Sequence, residues 1–235
     1  MKRIAFVLPV VAMMALGGCI VIDGPTETRA YNNTGFDRVN AASGINVVLS
    51  QGPFAVKAEA PEGNLDKIII EQTGNELKVS RKSEMSWFGG NGRYVVNVTA
   101  PGITSVSASG GADVDGSALQ ADTLSLSTSG GGDIDLKGLK VTTLSASADG
   151  GGDIDAAGYC VTAMITTVGG GDFNGSDLDC ANVTASVSGG GDIDVRASAS
   201  ANGDASSGGD IRFIGSPATF NKQESSGGDV SLDAK

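Results

Sequence analysis

Apolar and polar positions along this chain alternate in short runs that stop at glycines and then begin again. Leu124, Leu126 and Thr128 alternate with Ser125, Ser127 and Ser129. One unit later Leu144, Ala146 and Ala148 alternate with Ser145, Ser147 and Asp149, and further on Val183, Ala185 and Val187 alternate with Thr184, Ser186 and Ser188. A period of two predicts a strand with one buried face. The inward residues are of modest size, which suits a narrow interior.

Each run ends in a glycine-rich bend, followed by an aspartate and an apolar residue. The aspartates are Asp113, Asp133, Asp153, Asp172, Asp192, Asp210 and Asp229, a nearly constant interval. The next residues are Val114, Ile134, Ile154, Phe173, Ile193, Ile211 and Val230, all apolar. A fixed short period marks a solenoid, in which each repeat covers its neighbour and none is stable alone. Glycine supplies the positive φ and close backbone approach that a tight bend needs. The predicted fold is all-β: a right-handed parallel β-helix with coils of about 20 residues, the apolar column inside and the residues on either side of it outside.

Residues 35–100 do not follow the repeat. Strand-like segments there are Phe36–Val39, Ile45–Leu49, Lys67–Glu71, Glu76–Ser80 and Tyr94–Val98, with Gly74-Asn75 as a hairpin turn and Ser83–Gly92, which carries Trp87 and Phe88, as a loop. An open solenoid end recruits other chains, so this region reads as an N-terminal β cap with the first coils, leading into β-helix repeats over residues 101–235.

The chain begins with Lys2 and Arg3, then an apolar run from Ile4 to Leu16 that Pro9 interrupts. That is too short to span a bilayer and fits the apolar region of a signal peptide, residues 1–18. Leu16-Gly17-Gly18-Cys19 resembles the lipobox of bacterial lipoproteins, which implies a lipid on Cys19. Ile20 follows the cysteine, where the enterobacterial rule for inner-membrane retention calls for aspartate, so the outer membrane is favoured. Residues 19–34 read as a tether between lipid and domain.

Without residues 1–18 the formal charge is 14 − 27 = −13. That excludes nucleic acid as a partner and disfavours broad attraction to anionic lipid. Histidine is absent, which removes the commonest general base near neutral pH. Cys160 stands as far before Asp172 as Cys180 stands before Asp192, so the two cysteines share a register one coil apart. A coil spacing of about 4.8 Å lies inside the Cα separation that a disulfide accepts. In an exported protein, a Cys160–Cys180 bridge is expected.

Two acidic columns flank the apolar one. The first holds the seven reference aspartates; the second holds Asp115, Asp135, Asp155, Asn174 and Asp194, then Arg212 and Ser231. Like charges about 5 Å apart repel by about 1 kcal/mol per pair in water. The first explanation is a turn role, in which each carboxylate accepts hydrogen bonds from free amides of its own bend. The second is calcium, held by pairs such as Asp133 with Asp135, Asp153 with Asp155, and Asp192 with Asp194; no other cofactor is expected. The third is carboxylate catalysis on a polysaccharide, which a uniform ladder disfavours because an enzyme site breaks the repeat with unusual residues at one coil.

Ser43-Gly44-Ile45-Asn46-Val47, and Val98-Thr99-Ala100-Pro101-Gly102-Ile103 leading into Ser107-Ala108-Ser109-Gly110-Gly111-Ala112-Asp113-Val114, resemble the head GIN domain family of autotransporter adhesins, named for Gly44, Ile45 and Asn46 here. The resemblance covers about Phe36 to Leu232. It implies an exported β-helical domain, often on a lipoprotein, and brings no catalytic residues. The expected function is a cell-envelope lipoprotein on the outer membrane, at its periplasmic face or the cell surface. It contacts the membrane through its lipid and binds a glycan or an envelope protein. The alternative is a polysaccharide-processing β-helix enzyme.

Overall fold

The computed structural model describes residues 25–82 and 93–234. The expected signal peptide, the lipidation site Cys19 and the loop Ser83–Gly92 lie outside the described residues. The N-terminal half contains β1 (Thr26–Tyr31), β2 (Arg38–Ala42), β3 (Asn46–Gln51), β4 (Ala55–Pro61), β5 (Ile68–Thr73), β6 (Glu76–Arg81), β7 (Val95–Ala100), β8 (Ser105–Ser109) and β9 (Asp113–Ser117). Then come β10 (Gln120–Ser129), β11 (Asp133–Gly150), β12 (Ile154–Gly169), β13 (Phe173–Gly189), β14 (Ile193–Ser206), β15 (Asp210–Ile214), β16 (Thr219–Ser225) and β17 (Asp229–Asp233).

The strands form a β-solenoid of about six turns with a coil spacing of about 20 residues. Two parallel stacks run its length. In one, β7, β3, β9, the first parts of β11 to β14, β15 and β17 lie side by side. In the other, β6, β2, β8, β10, the last parts of β11 to β14 and β16 do so. Register places Val47, Val114, Ile134, Ile154, Phe173, Ile193, Ile211 and Val230 directly over one another. All are buried, as are the inward members of the alternating runs. The predicted interior is therefore the observed one, extended by one coil.

That extra coil reveals how the cap is built. The first coil, β2 and β3, abuts β8 and β9, although the whole cap separates them in sequence. The chain leaves the rod after Gln51, builds the cap and rejoins on the other side of its first coil. The cap strands change direction: β4 is antiparallel to β7, β5 to β6, and β1 to β4. The β5–β6 turn falls at Gly74-Asn75 as the sequence indicates, with Gly74 at φ +61°. Strand β1 occupies the second half of the segment read as a tether, and Arg29 ties it to Asp66 at 3.0 Å.

The far end is closed by side chains instead. Phe220, Lys222 and Glu224 stand in register with Ala201, Gly203 and Ala205, the buried inward positions of the coil above. The last coil thus turns two charges inward, and among the described residues no further coil lies beneath them. Lys222 Nζ is 2.7 Å from Glu224 Oε1. The Val230 amide donates to Glu224 (2.9 Å), and Lys222 donates to the Val230 carbonyl (3.3 Å). Inward charge is one way in which a sheet edge avoids pairing with another chain.

Candidate functional site

The first aspartate column is a chain of hydrogen bonds running along the rod. The backbone amide of Asp153 donates to Asp133 Oδ1 (3.0 Å), and that of Asp172 to Asp153 (3.0 Å). The amide of Asp192 donates to Asp172 (2.7 Å), that of Asp210 to Asp192 (3.1 Å) and that of Asp229 to Asp210 (3.2 Å). Each of these five carboxylates, from Asp133 to Asp210, accepts from the amide of the next coil's aspartate, not from its own bend as the sequence suggests. The ladder therefore holds coil to coil, and an amide N–H beside each carboxylate offsets part of the repulsion.

In the second column three of the carboxylates take donors from neighbouring side chains. Lys137 meets Asp135 at 2.6 Å, Asn174 donates to Asp155 at 2.8 Å, and Arg212 Nε donates to Asp194 at 2.8 Å. Two of the places where this column departs from aspartate, Asn174 and Arg212, supply donors to the aspartate one coil before. Among the described residues no group of three or more Asp, Glu or Cys side chains is arranged to hold a metal ion.

Asp113 opens the acidic ladder. Partial burial disfavours its charged form, and the charges of Asp133 and Asp115 add to that, so its carboxyl titrates above the ordinary range. A raised folded-state value means that ionisation penalises the fold at neutral pH, and that this penalty vanishes as pH falls below the unfolded value. Asp113→Asn is expected to melt higher than the parent at pH 7, with the difference shrinking as pH falls through the raised value and gone below about pH 3.9. Equal or lower melting at pH 7 would contradict this.

Cys160 and Cys180 form the expected disulfide, with Cα atoms 4.5 Å apart at a sequence separation of 20. Both are buried and continue the inward column of Val141 and Ala197. The bridge staples two coils together from inside. Its removal by Cys160→Ala with Cys180→Ala is expected to cost about 3 kcal/mol, measured by denaturant unfolding. Unchanged midpoints would show that the coils are held without it.

One outward column differs from all the others. Gln120, Lys140, Tyr159, Asp179 and Arg196 are in direct register on successive coils, five different side chains in a row. Tyr159 is 53% exposed. It separates two shallow depressions, one of about 520 Å³ reaching to Asp122, Thr142 and Val161, the other of about 470 Å³ reaching to Arg196 and Ser198. Arg196 is held by Asp179 (3.0 Å) and by the Ser176 carbonyl (3.0 Å). On the same coil Val161, Met164 and Val168 are also exposed, next to Ser145 and Asp149 on one side and Thr184 and Ser188 on the other. These four are the large apolar side chains most exposed among the described residues. Reading along the sequence does not single out this break in the ladder, although Tyr159 stands where its register neighbours are charged.

Residues 35–217 match the family model described as "Putative auto-transporter adhesin, head GIN domain". The chain belongs to the head GIN domain family. A "putative adhesin" from Bacteroides fragilis shares the fold with a TM-score of 0.81 at 24% identity, covering 88% of this chain and 97% of the other. A second such adhesin, from Parabacteroides distasonis, gives 0.70 at 18% identity, covering 89% and 98%. A "putative lipid binding protein" from the same species gives 0.68 at 17% identity, covering 90% and 98%. No curated protein matches.

The head GIN motif acquires a structural meaning here. Asn46 pairs in register with Asp113, and Val47 with Val114. Gly44-Ile45-Asn46-Val47 is therefore the first member of the same ladder as Gly111-Ala112-Asp113-Val114 and Gly131-Gly132-Asp133-Ile134. Gly44 takes φ +67°, as Gly111 takes +76°. The Asp113 amide donates to the Ile45 carbonyl at 3.0 Å, and the Asp133 amide to that of Ala112 at 3.0 Å. The family motif is the bend that starts the rod.

Proposed function

We propose that this head GIN protein is an exported, lipid-anchored protein of the cell envelope whose solenoid acts as an adhesin-like binding or structural module and not as an enzyme. The observation that carries the reading is the use of the aspartates. A catalytic pair needs carboxylates converging on a substrate, whereas Asp133 to Asp210 of the first column are engaged by the next coil's amide, and Asp135, Asp155 and Asp194 by Lys137, Asn174 and Arg212. The relatives' names, adhesin or lipid-binding, agree with binding. Anchoring rests on Cys19, and among the described residues no helix is long and apolar enough to cross a membrane.

Calcium is not required by this reading, since the carboxylates already have donors. The melting temperature of the domain is expected to be unchanged by millimolar calcium, and a rise of several degrees would assign the ion to Asp133 with Asp135, Asp153 with Asp155, or Asp192 with Asp194. The anchor is tested by palmitate labelling and membrane fractionation of the full chain beside Cys19→Ser. Label and membrane association are expected in the parent and absent in the variant. The binding role is tested by capture of envelope components on the purified domain, and turnover of an acidic polysaccharide by that domain would overturn it.

A further inference from the structure

We infer that the outward column through Tyr159 is a docking site for an oligosaccharide lying along the rod axis, with one sugar ring on the Tyr159 face. This rests on the reading of the domain as an envelope binding module and gives that module a site and a ligand class. A solenoid that repeats one residue down a column offers the same contact at each coil. Here five coils offer an amide, an ammonium, an aromatic ring, a carboxylate and a guanidinium in order. From Gln120 to Arg196 the column spans four coil spacings, about 19 Å.

Three observations point to a sugar chain rather than to a protein surface. The ring of Tyr159 stands exposed between two depressions, so a flat apolar face of a sugar can cover it while both neighbours enter hollows. The hollows are lined by groups that hydrogen-bond hydroxyls: Gln120, Asp122 and Thr142 on one side, Asp179 and Ser198 on the other. On the second side Asp179 is set beforehand, because Arg196 and Asp179 brace one another and Arg196 also grips the Ser176 carbonyl. Lys140, the coil neighbour of Tyr159, makes no ion pair with a described residue and is open to a ligand hydroxyl or carboxylate. A protein interface needs a wider apolar centre than one ring with polar groups at both ends. The neighbouring row of Met164 and Val168 would suit a protein better, and it serves as the competing outcome below.

The test is calorimetric titration of the purified domain with cellopentaose, chitopentaose and a hyaluronan hexasaccharide, with Tyr159→Ala, Lys140→Ala and Met164→Asp beside the parent. At least one sugar is expected to bind. Tyr159→Ala is expected to weaken it at least about tenfold, Lys140→Ala to weaken it less, and Ser147→Ala on the plain ladder to leave it unchanged. All the substituted side chains face outward, so melting temperatures should match the parent. No binding of any of the three sugars at millimolar concentration overturns the inference, as does binding that survives Tyr159→Ala. Capture of an envelope protein that Met164→Asp abolishes and Tyr159→Ala leaves intact also overturns it, while the broader reading of a binding module stands.

Discussion

Gly191→Ala is expected to destabilise the rod by about 3 kcal/mol or more, while Gly190→Ala, one position away, is expected to be close to neutral. A Cβ built on Gly191 lies 2.2 Å from the Gly171 carbonyl oxygen, and one built on Gly190 meets nothing within 4 Å. The clash is with backbone, which cannot rotate away, and the backbone in question belongs to the coil that must stay at hydrogen-bonding distance. The same approach recurs at Gly152, 2.2 Å from the Gly132 oxygen, and at Gly171, 2.4 Å from that of Gly152. Relieving any one of these would wedge two coils apart and break the aspartate-to-amide bonds beside the bend. Chemical denaturation of the two variants beside the parent decides the matter. Equal stability of Gly190→Ala and Gly191→Ala would mean that the coils are not packed as closely as described.

This glycine column also shows the interior narrowing at one corner. The residue before the reference position is Ile45 in the first coil and Ala112 in the next, then glycine at 132, 152, 171, 191, 209 and 228. All but the last of these are buried. Where the cap meets the rod there is room for a branched side chain, and one coil later there is room only for a methyl. The positive φ of the first bend residue is a separate requirement. Ser43 (φ +63°) meets it in the first bend and Ser207 (φ +64°) and Ser226 (φ +51°) in the last two, where glycine does so in the coils between.

The rod is legible in the sequence because its signal is repeated. Alternation in β10 to β14, the apolar column and the cysteine register each give the same coil length, and the structure places them accordingly. The first coil does not stand out as one because the interval from Asn46 to Asp113 is more than three times the repeat, with the cap spliced between. Its motif reads in sequence as a family mark and not as a bend. Strand β1 gives no alternation because it lies on the outermost edge with nearly every residue exposed. Strand β4 does alternate, but its inward residues Val56, Ala58 and Ala60 are too small to stand out. The direction of the aspartate bonds depends on where one coil's amide falls relative to another's carboxylate, which only the stacked register supplies. The signal for the Tyr159 column lies in reading the sequence down the repeat instead of along it. In that direction five unlike residues follow one another, whereas the other outward columns of β10 to β14 are dominated by Asp, Ser and Thr.

The C-terminal end gives the other large expected effect. Lys222→Leu combined with Glu224→Leu should turn the domain into concentration-dependent, end-to-end oligomers larger than any the parent forms. The parent turns these two side chains into the inward column of its last coil, where they pair with each other and cover both polar backbone groups of Val230. Two leucines would leave the Val230 amide and carbonyl uncovered at a strand edge and add exposed apolar surface beside Phe220 and Leu232, the combination that invites strand addition. The plug also has a pH dependence of known sign. Lys222 and the Val230 amide hold the Glu224 carboxyl below the usual carboxylate range, so the contact is complete above the unfolded value and is lost as pH falls through the depressed one. In the parent, association is therefore expected only under strongly acidic conditions, whereas the double variant should associate at pH 7. Sedimentation velocity over a range of concentrations measures this, with circular dichroism to confirm that the variant remains folded. A folded double variant that sediments like the parent at every concentration would show that the end of the rod is closed by something other than this pair.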